Sequence, residues 1–257
     1  MKVCVLASGS GGNSIFVQQG VTKVLVDAGL AGKRIEERLQ AVDVAGADLH
    51  ALVVTHEHSD HIHGVGVLAR RFGLPVWMTR GTFEASKKIF RGTERIRIID
   101  NDEGFDIGDL YFQPFAISHD AIDPVNFVVK SGQSVLAIAT DMGTVTQLVY
   151  QRIRGADLVI METNYDRELL MNGPYPWNLK QRISGNRGHL ANEKAADTLC
   201  SLAQEGLQQA VLAHLSDKNN RPELAEGVCR EDLKARGVNQ FMLSVAEQER
   251  PSPIFVI

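Results

Sequence analysis

The sequence predicts an α/β protein with two β-sheets between outer helices, a four-layer αββα sandwich. Three observations point there. The chain opens with three short runs rich in Val, Ile and Leu in quick succession. Residues 95–140 read as a second block of consecutive strands. Each block is followed by alternating helix and strand patterns, so both halves carry a meander and αβ units. No low-complexity linker or internal repeat interrupts the 257 residues, which reads as one domain spanning 1–257.

The opening strands are "KVCVLA" (2–7), "SIFVQ" (14–18) and "KVLVDAG" (23–29). A helix is expected over 31–41, where Ile35 and Leu39 are one helical turn apart. "LHALVVTH" is a buried strand by its apolar run, "IHGVGVLARRFG" a helix ending at Gly73, and "PVWM" the start of the next strand. Residues 81–91 look helical; "RIRII", "DLYFQPFAI", "NFVVK" and "SVLAIAT" follow as strands. The second half then alternates: helix 144–153, strand 157–162, helix 192–204, strand 209–215, helix 222–236, strand "NQFMLSV".

A net charge of −4 advertises no nucleic-acid binding, so any such function must rest on a local basic patch. Cys4, Cys200 and Cys229 are odd in number and far apart, with no CxxC pair. They read as reduced thiols of a cytoplasmic protein. "MKVCVLASGSGGNS" lacks the apolar core of a signal peptide, and no apolar run approaches the ~18 residues of a membrane span.

The chemistry concentrates in "VVTHEHSDHIHG", Val53 to Gly64, which holds His56, His58, His61 and His63 with Asp60 among them. His56 and His58 are two apart, so an extended backbone aims both to one side. Asp60 and His61 turn the other way as the chain enters a helix. Imidazole suits zinc, iron and manganese-like ions, and carboxylate extends the choice toward harder ions. A solvated histidine-rich loop accounts poorly for four imidazoles and an aspartate directly after a buried strand.

"THEHSDH" resembles the signature of the metallo-β-lactamase fold superfamily, and companion motifs follow in order. Asp27 lies in "VDAG", His119 in "ISHD", Asp141 in "ATDMG" and His214 in "LAHLS", each at or near an expected strand end. The resemblance covers nearly the whole chain and implies a dinuclear site. His56, His58 and His119 would hold one divalent ion, Asp60, His61 and His214 the second, and Asp141 would bridge them. Asp27 would orient ligands from behind by hydrogen bonds. The pair would be zinc or manganese, with iron also admitted. It would share a hydroxide that attacks the scissile phosphate, with Asp60 and Asp141 central to catalysis. His50 and His63 match no motif position and read as surface or packing residues.

A bridging Asp141 beside Asp60 resembles the glyoxalase II, ribonuclease Z and nuclease branches rather than the lactamases proper. "GHLANEKAA" (188–196) places His189 near a helix start, where it would contact phosphate or act as general acid; Asn192 would help bind substrate. Ribonuclease Z has a similar histidine, but its partner glutamate falls three before Asp141, where this chain has Ile138. Residues 169–192 contain no acid and interleave Lys180, Arg182 and Arg187 with Tyr175 and Trp177, a pattern suited to a nucleic-acid backbone with bases to stack.

"ETNYD", "GPYPW…GHL" and "LASGSGGNS" are similar to the YycJ/WalJ-like subfamily, which implies a bacterial, cytoplasmic 5′-to-3′ exonuclease acting on DNA rather than RNA. The expectation is therefore a metal-dependent phosphodiesterase on nucleic acid, with no membrane partner. Its first rival is a small-molecule phosphodiester or thioester hydrolase of the same fold. The second is a metal-loaded binding protein with a closed site.

Overall fold

The computed structural model describes residues 1–257. In chain order the elements are β1 (Lys2–Ala7), β2 (Ser14–Gln19), β3 (Thr22–Val26), α1 (Gly32–Gln40), β4 (Ala51–Val53), α2 (Ser59–Ile62), α3 (Val65–Phe72), β5 (Pro75–Thr79), α4 (Arg80–Ser86), β6 (Arg95–Ile99), β7 (Phe105–Ile107), β8 (Leu110–Ala116) and β9 (Val125–Ser131). Then come β10 (Ser134–Ala139), α5 (Gln147–Ile153), β11 (Leu158–Glu162), α6 (Arg167–Asn172), α7 (Trp177–Ser184), α8 (Asn192–Gln204), β12 (Gln209–Ala213), α9 (Pro222–Ala235), β13 (Met242–Val245) and β14 (Phe255–Val256). Single-turn 3-10 helices cover Gly46–Asp48 and Lys87–Ile89.

Local chemistry sets many boundaries. The hydroxyls of Thr79 and Thr146 accept from the backbone N–H groups of Thr82 and Val149, capping α4 and α5. The Asp166 carboxylate caps α6 through Leu169 N. Left-handed Gly73 ends α3, and Pro222 opens α9. The helix expected over 62–73 breaks at Gly64, whose N–H donates to Ala28 O at 2.7 Å. A Cβ there would lie 2.4 Å from Leu30 O. Helix α4 is shorter than expected and passes into the 3-10 turn. Strands β7 and β14 and helices α6 and α7 were not among the expected elements.

The chain divides into two compact units. The first comprises Met1–Ala116, Ala121–Gln133 and Glu247–Ile257. Its mixed sheet runs β14-β1-β2-β3-β4-β5-β6. Strands β1 to β3 pair antiparallel and β3 to β6 parallel. Strands β7, β8 and β9 form an antiparallel meander. Leu25, Leu52, Val76 and Met78 of the sheet pack with Ile35 and Leu39 of α1 and Val65 and Leu68 of α3. The amphipathic pattern of both helices thus covers one sheet face.

The second unit comprises Ile117–Asp120 and Ser134–Ala246. Strands β10, β11, β12 and β13 are parallel neighbours. Every residue of β11 is buried, and Leu158 to Met161 carry the continuous apolar pattern of a parallel strand covered on both faces. Registers Ala139↔Met161 and Glu162↔Ala213 bring the carboxyl ends of three adjacent strands level. Ligand sites of α/β sheets form outside such ends.

Candidate metal centre

In the first unit, β3 and β4 deliver the polar groups. Asp27 follows β3 in the left-handed conformation (φ 59°). Its carboxylate accepts from Thr55 N at 2.9 Å and Thr55 Oγ1 at 2.8 Å, and lies 2.8 Å from His61 Nδ1. A carboxylate only accepts here, so Nδ1 of His61 carries the proton and Nε2 the lone pair. Asp27 therefore stands behind a candidate ligand and fixes its tautomer. The Nε2 of His61 lies 3.5 Å from Asp60 Oδ2 and 3.1 Å from Asn13 Nδ2.

His56 is fully buried, and its Nε2 lies 3.1 Å from Nδ1 of His58. The rings meet edge-on with centroids 4.7 Å apart. Two nitrogens bound tetrahedrally to one zinc ion at ~2.0–2.1 Å lie about 3.3 Å apart, so this pair has the spacing of ligands to a common centre. Gly29 permits the loop's return: a Cβ there would lie 1.6 Å from Asp60 O. Asn13, from the Gly/Ser turn after β1, donates to Asp60 Oδ2 at 3.2 Å.

In the second unit, strand ends carry a cluster of their own. Asp141 (φ 55°) and His214 (φ 56°) follow β10 and β12, both left-handed and both buried. Three of the four non-glycine residues in that conformation are thus Asp27, Asp141 and His214. Backbone held in this sparsely populated region concentrates at functional sites. His214 Nδ1 lies 3.3 Å from Asp141 Oδ1 and 3.0 Å from Glu162 Oε1. His119 Nδ1 lies 3.2 Å from Gly188 O and donates to it, and its Nε2 is 3.9 Å from Asp141 Oδ1.

The sequence reading missed Glu162. This carboxylate is wholly buried at the end of β11. Its Oε1 lies 2.7 Å from His189 Nδ1, and its Oε2 accepts from Met142 N at 2.7 Å and Leu190 N at 3.3 Å. Burial pushes the Glu162 carboxyl up, but the His189 and His214 side chains outweigh it and hold it below the ordinary carboxylate range. The acid partner expected at the position of Ile138 thus comes from the neighbouring strand. The signal was present in "DLVIMETN", an apolar strand ending in a charge, like the strands before Asp27 and Asp141. Together Asp141, Glu162, His189 and His214 offer ligand atoms within 4.8 Å of one another. Buried imidazoles with fixed tautomers, alternating with carboxylates, are the donor set a divalent transition metal requires.

The expected substrate contacts fare unevenly. Lys180 is only 9% exposed and donates to Met171 O at 2.7 Å, satisfying a carbonyl at the end of α6. Asn192 is fully buried in a reciprocal amide pair with Asn220, at 3.0 and 2.8 Å. Both side chains are thus committed to partners within the fold. His189 lies three residues before the start of α8, in a segment whose Leu190 O accepts from Asn164 N and whose Asn192 N donates to Tyr165 O. Arg182 Nε donates to Asp120 Oδ2 at 2.5 Å, an acid from outside the acid-free stretch. Arg187 Nε donates to His119 O at 3.2 Å and the side chain is exposed. Trp177, in the first turn of α7, is 62% exposed.

Comparison with known proteins agrees with this chemistry. Residues 22–215 match the family model described as the beta-lactamase superfamily domain. The chain is 38% identical to exodeoxyribonuclease YycJ of Bacillus anthracis, over 91% of this chain and 89% of the relative. It is also 38% identical to exodeoxyribonuclease WalJ of Streptococcus pneumoniae serotype 2, over 87% and 85%. Ribonuclease Z of Mycobacterium sp. (strain KMS) is more distant, at 25% over 88% and 80%. Among solved structures, the metallo-β-lactamase fold protein YhfI of Bacillus subtilis superposes with a TM-score of 0.73 at 18% identity, covering 98% of each chain. Zn(2+)-bound PqqB of Methylobacterium extorquens gives 0.72 at 19%, covering 98% and 99%. With two sheets flanked by helices, a buried histidine and aspartate set, and exodeoxyribonucleases among its relatives, the chain belongs to the metallo-β-lactamase superfamily as a metallo-hydrolase of the YycJ/WalJ kind.

Proposed function

We propose that the protein is a metal-dependent exonuclease that hydrolyses phosphodiesters of DNA from the 5′ end. The observation that carries this reading is the 38% identity to an exodeoxyribonuclease over about nine tenths of both chains. The residues add chemical support. His56, His58 and His119 would hold one divalent ion, Asp60, His61 and His214 the second, and Asp141 both. Zinc and manganese suit that donor set, and iron is compatible with it. When bound, such a pair supplies Lewis-acid polarisation of the phosphoryl group and a water acidic enough to attack near neutral pH.

The chain's own residues do the rest. Asp27 and Glu162 hold the ring tautomers of His61 and His214. Glu162 also lies 2.7 Å from Nδ1 of His189 and fixes the orientation of that ring. With Nδ1 held by Glu162, Nε2 is the nitrogen through which His189 would hand a proton to the leaving oxygen as general acid. The exposed Arg187 contacts backbone phosphate, Arg182 contributes when its bond to Asp120 opens, and Trp177 stacks on a base. These roles suit a long polyanion better than the rival small phosphodiester or thioester.

One panel tests the reading: DNA and RNA strands and duplexes labelled at either end, a small phosphodiester and a thioester, each with zinc, with manganese and after chelation. Successive release of nucleotides from the 5′ end of DNA, dependent on metal, is the expected outcome. Turnover of the thioester or small ester alone would replace the nuclease reading with its rival.

A further inference from the structure

The acid-free stretch at 169–192 supplies less positive charge than its sequence suggests, because Lys180 is buried and Arg182 is paired. A protein with net charge −4 that holds a polyanion needs cations elsewhere. They are found in the first unit. Residues 87–97, "KKIFRGTERIR", contain Lys87, Lys88, Arg91, Arg95 and Arg97, all exposed, against one acid, Glu94.

Glu94 does not offset them. Its side chain is 1% exposed and ion-paired with Arg70. Its carboxylate also accepts from the backbone N–H of Arg91 at 3.1 and 3.0 Å and of Thr93 at 3.1 Å. Burial pushes this carboxyl up, yet the Arg70 guanidinium and the backbone N–H groups of Glu94 itself and Arg91 hold it below the ordinary range, so it stays ionised and inward. Arg70 also donates to Ile89 O at 3.3 Å, which ties both ends of the turn to α3. The half-buried pair thus fixes a turn whose outward charges are all positive.

Arg95 and Arg97, two apart on the edge strand β6, point to one face. Arg95 donates to Gly73 O and Lys87 pairs with Glu84, so two of the five cations have protein partners. Asp100, Asp102 and Glu103 follow the opposite end of β6, which confines the positive face to the strand's start. Helix α4 leads to this face from the end of β5, the neighbour of β4, whose own end leads into His56.

We propose that the face formed by Lys87, Lys88, Arg91 and Arg97 is a second DNA-binding surface that holds backbone phosphates of the strand away from the end being cut. The proposal rests on the exonuclease reading and extends it to residues outside the metal motifs. Phosphate contacts of this kind carry affinity without sequence preference and release counterions, so they are read from the salt dependence of binding.

The test compares two variants that remove equal charge. The first is Lys87→Gln, Lys88→Gln, Arg91→Gln; the second is Lys33→Gln, Lys130→Gln, Lys218→Gln, at exposed positions elsewhere. Fluorescence anisotropy measures binding of long (about 30 nucleotides) and short (about 4 nucleotides) end-labelled DNA between about 50 and 200 mM salt. Thermal melting confirms that both variants fold.

For the patch variant, affinity for long DNA should fall about tenfold or more, and the slope of log K against log salt should shrink by about 2–3. The short strand should lose far less, and the control variant should keep its affinity for long DNA. Equal losses in both variants would reduce the effect to net charge and overturn the proposal. So would a patch variant that binds long DNA like the wild type and only precipitates more readily, since charges on an edge strand also discourage aggregation. A wild-type protein that binds no DNA at any salt would instead overturn the exonuclease reading, and this extension with it.

Discussion

Glu162 Oε1 lies 2.7 Å from Nδ1 of His189 and 3.0 Å from Nδ1 of His214, so one buried carboxylate serves two histidines. The two contacts separate experimentally. His189→Ala should lower kcat about 100-fold or more while metal content, read by mass spectrometry, stays that of the wild type. Glu162→Gln should lower kcat too, and should also weaken metal binding about 10–100-fold, because His214 loses the partner that orients it. Metal loss in His189→Ala would show that His189 is a ligand rather than a proton donor.

Left-handed backbone at Asp141 makes a second prediction. That conformation costs a non-glycine residue about 1–2 kcal/mol. Asp141→Gly should therefore be more stable than Asp141→Ala, by about 1 kcal/mol in urea denaturation, although both lose activity. In an ordinary strand the order reverses, with glycine the less stable by about 0.5–1 kcal/mol.

Lys180 and Trp177 sit on the same short helix and should behave oppositely. Lys180→Met removes a buried donor and strands the Met171 carbonyl, which should cost about 1–3 kcal/mol of stability with DNA affinity kept. Trp177→Ala should leave the melting temperature in place and weaken binding of single-stranded DNA by about 1–3 kcal/mol. Unchanged DNA affinity in Trp177→Ala would remove the stacking role.

Chelation should abolish hydrolysis and lower the melting temperature. An ion present at 100 times its dissociation constant contributes about 2.7 kcal/mol, which for a chain of this size is about 5–10 °C. Calorimetry with and without chelator, followed by zinc or manganese, checks both effects in one preparation.

Burial pushes the Cys229 thiol up to about 12, with Cys200 and nearby acids adding to the effect. The folded protein therefore keeps a proton that the unfolded chain releases at the ordinary thiol value. This contribution to stability is complete below about pH 8.5 and declines as the pH rises from there toward 12. Native protein at pH 8 should react slowly with a thiol-specific chromogenic disulfide, and urea-unfolded protein at once.

What the sequence discloses here follows from how local the controlling force is. Helix 192–204 is legible to the residue because a polar start, a periodic apolar face and a glycine beyond its end coincide. The His56–His61 loop is legible as a candidate site because its imidazoles and carboxylate are contiguous. The break at Gly64 was not, since its cause is a carbonyl some thirty residues upstream. Glu162 was missed because the search for a partner of His189 stayed on one strand, while the sheet supplies its neighbour. A lysine in a basic run such as Lys180 reads as solvent-facing, and only packing shows its ammonium turned onto α6. The reciprocal Asn192–Asn220 pair spans 28 positions and leaves no local pattern.

The level carboxyl ends of β10, β11 and β12 act as a ruler. Adjacent strands stand about 4.8 Å apart by hydrogen-bond geometry, which is also the scale on which side chains share a metal or a proton. Asp141, Glu162 and His214 therefore meet without help from the long excursions between their strands. Insertions or deletions in the segment carrying α6 and α7, proposed above to contact DNA, would leave the spacing of these three side chains intact, so under that proposal substrate preference could change by editing that excursion alone.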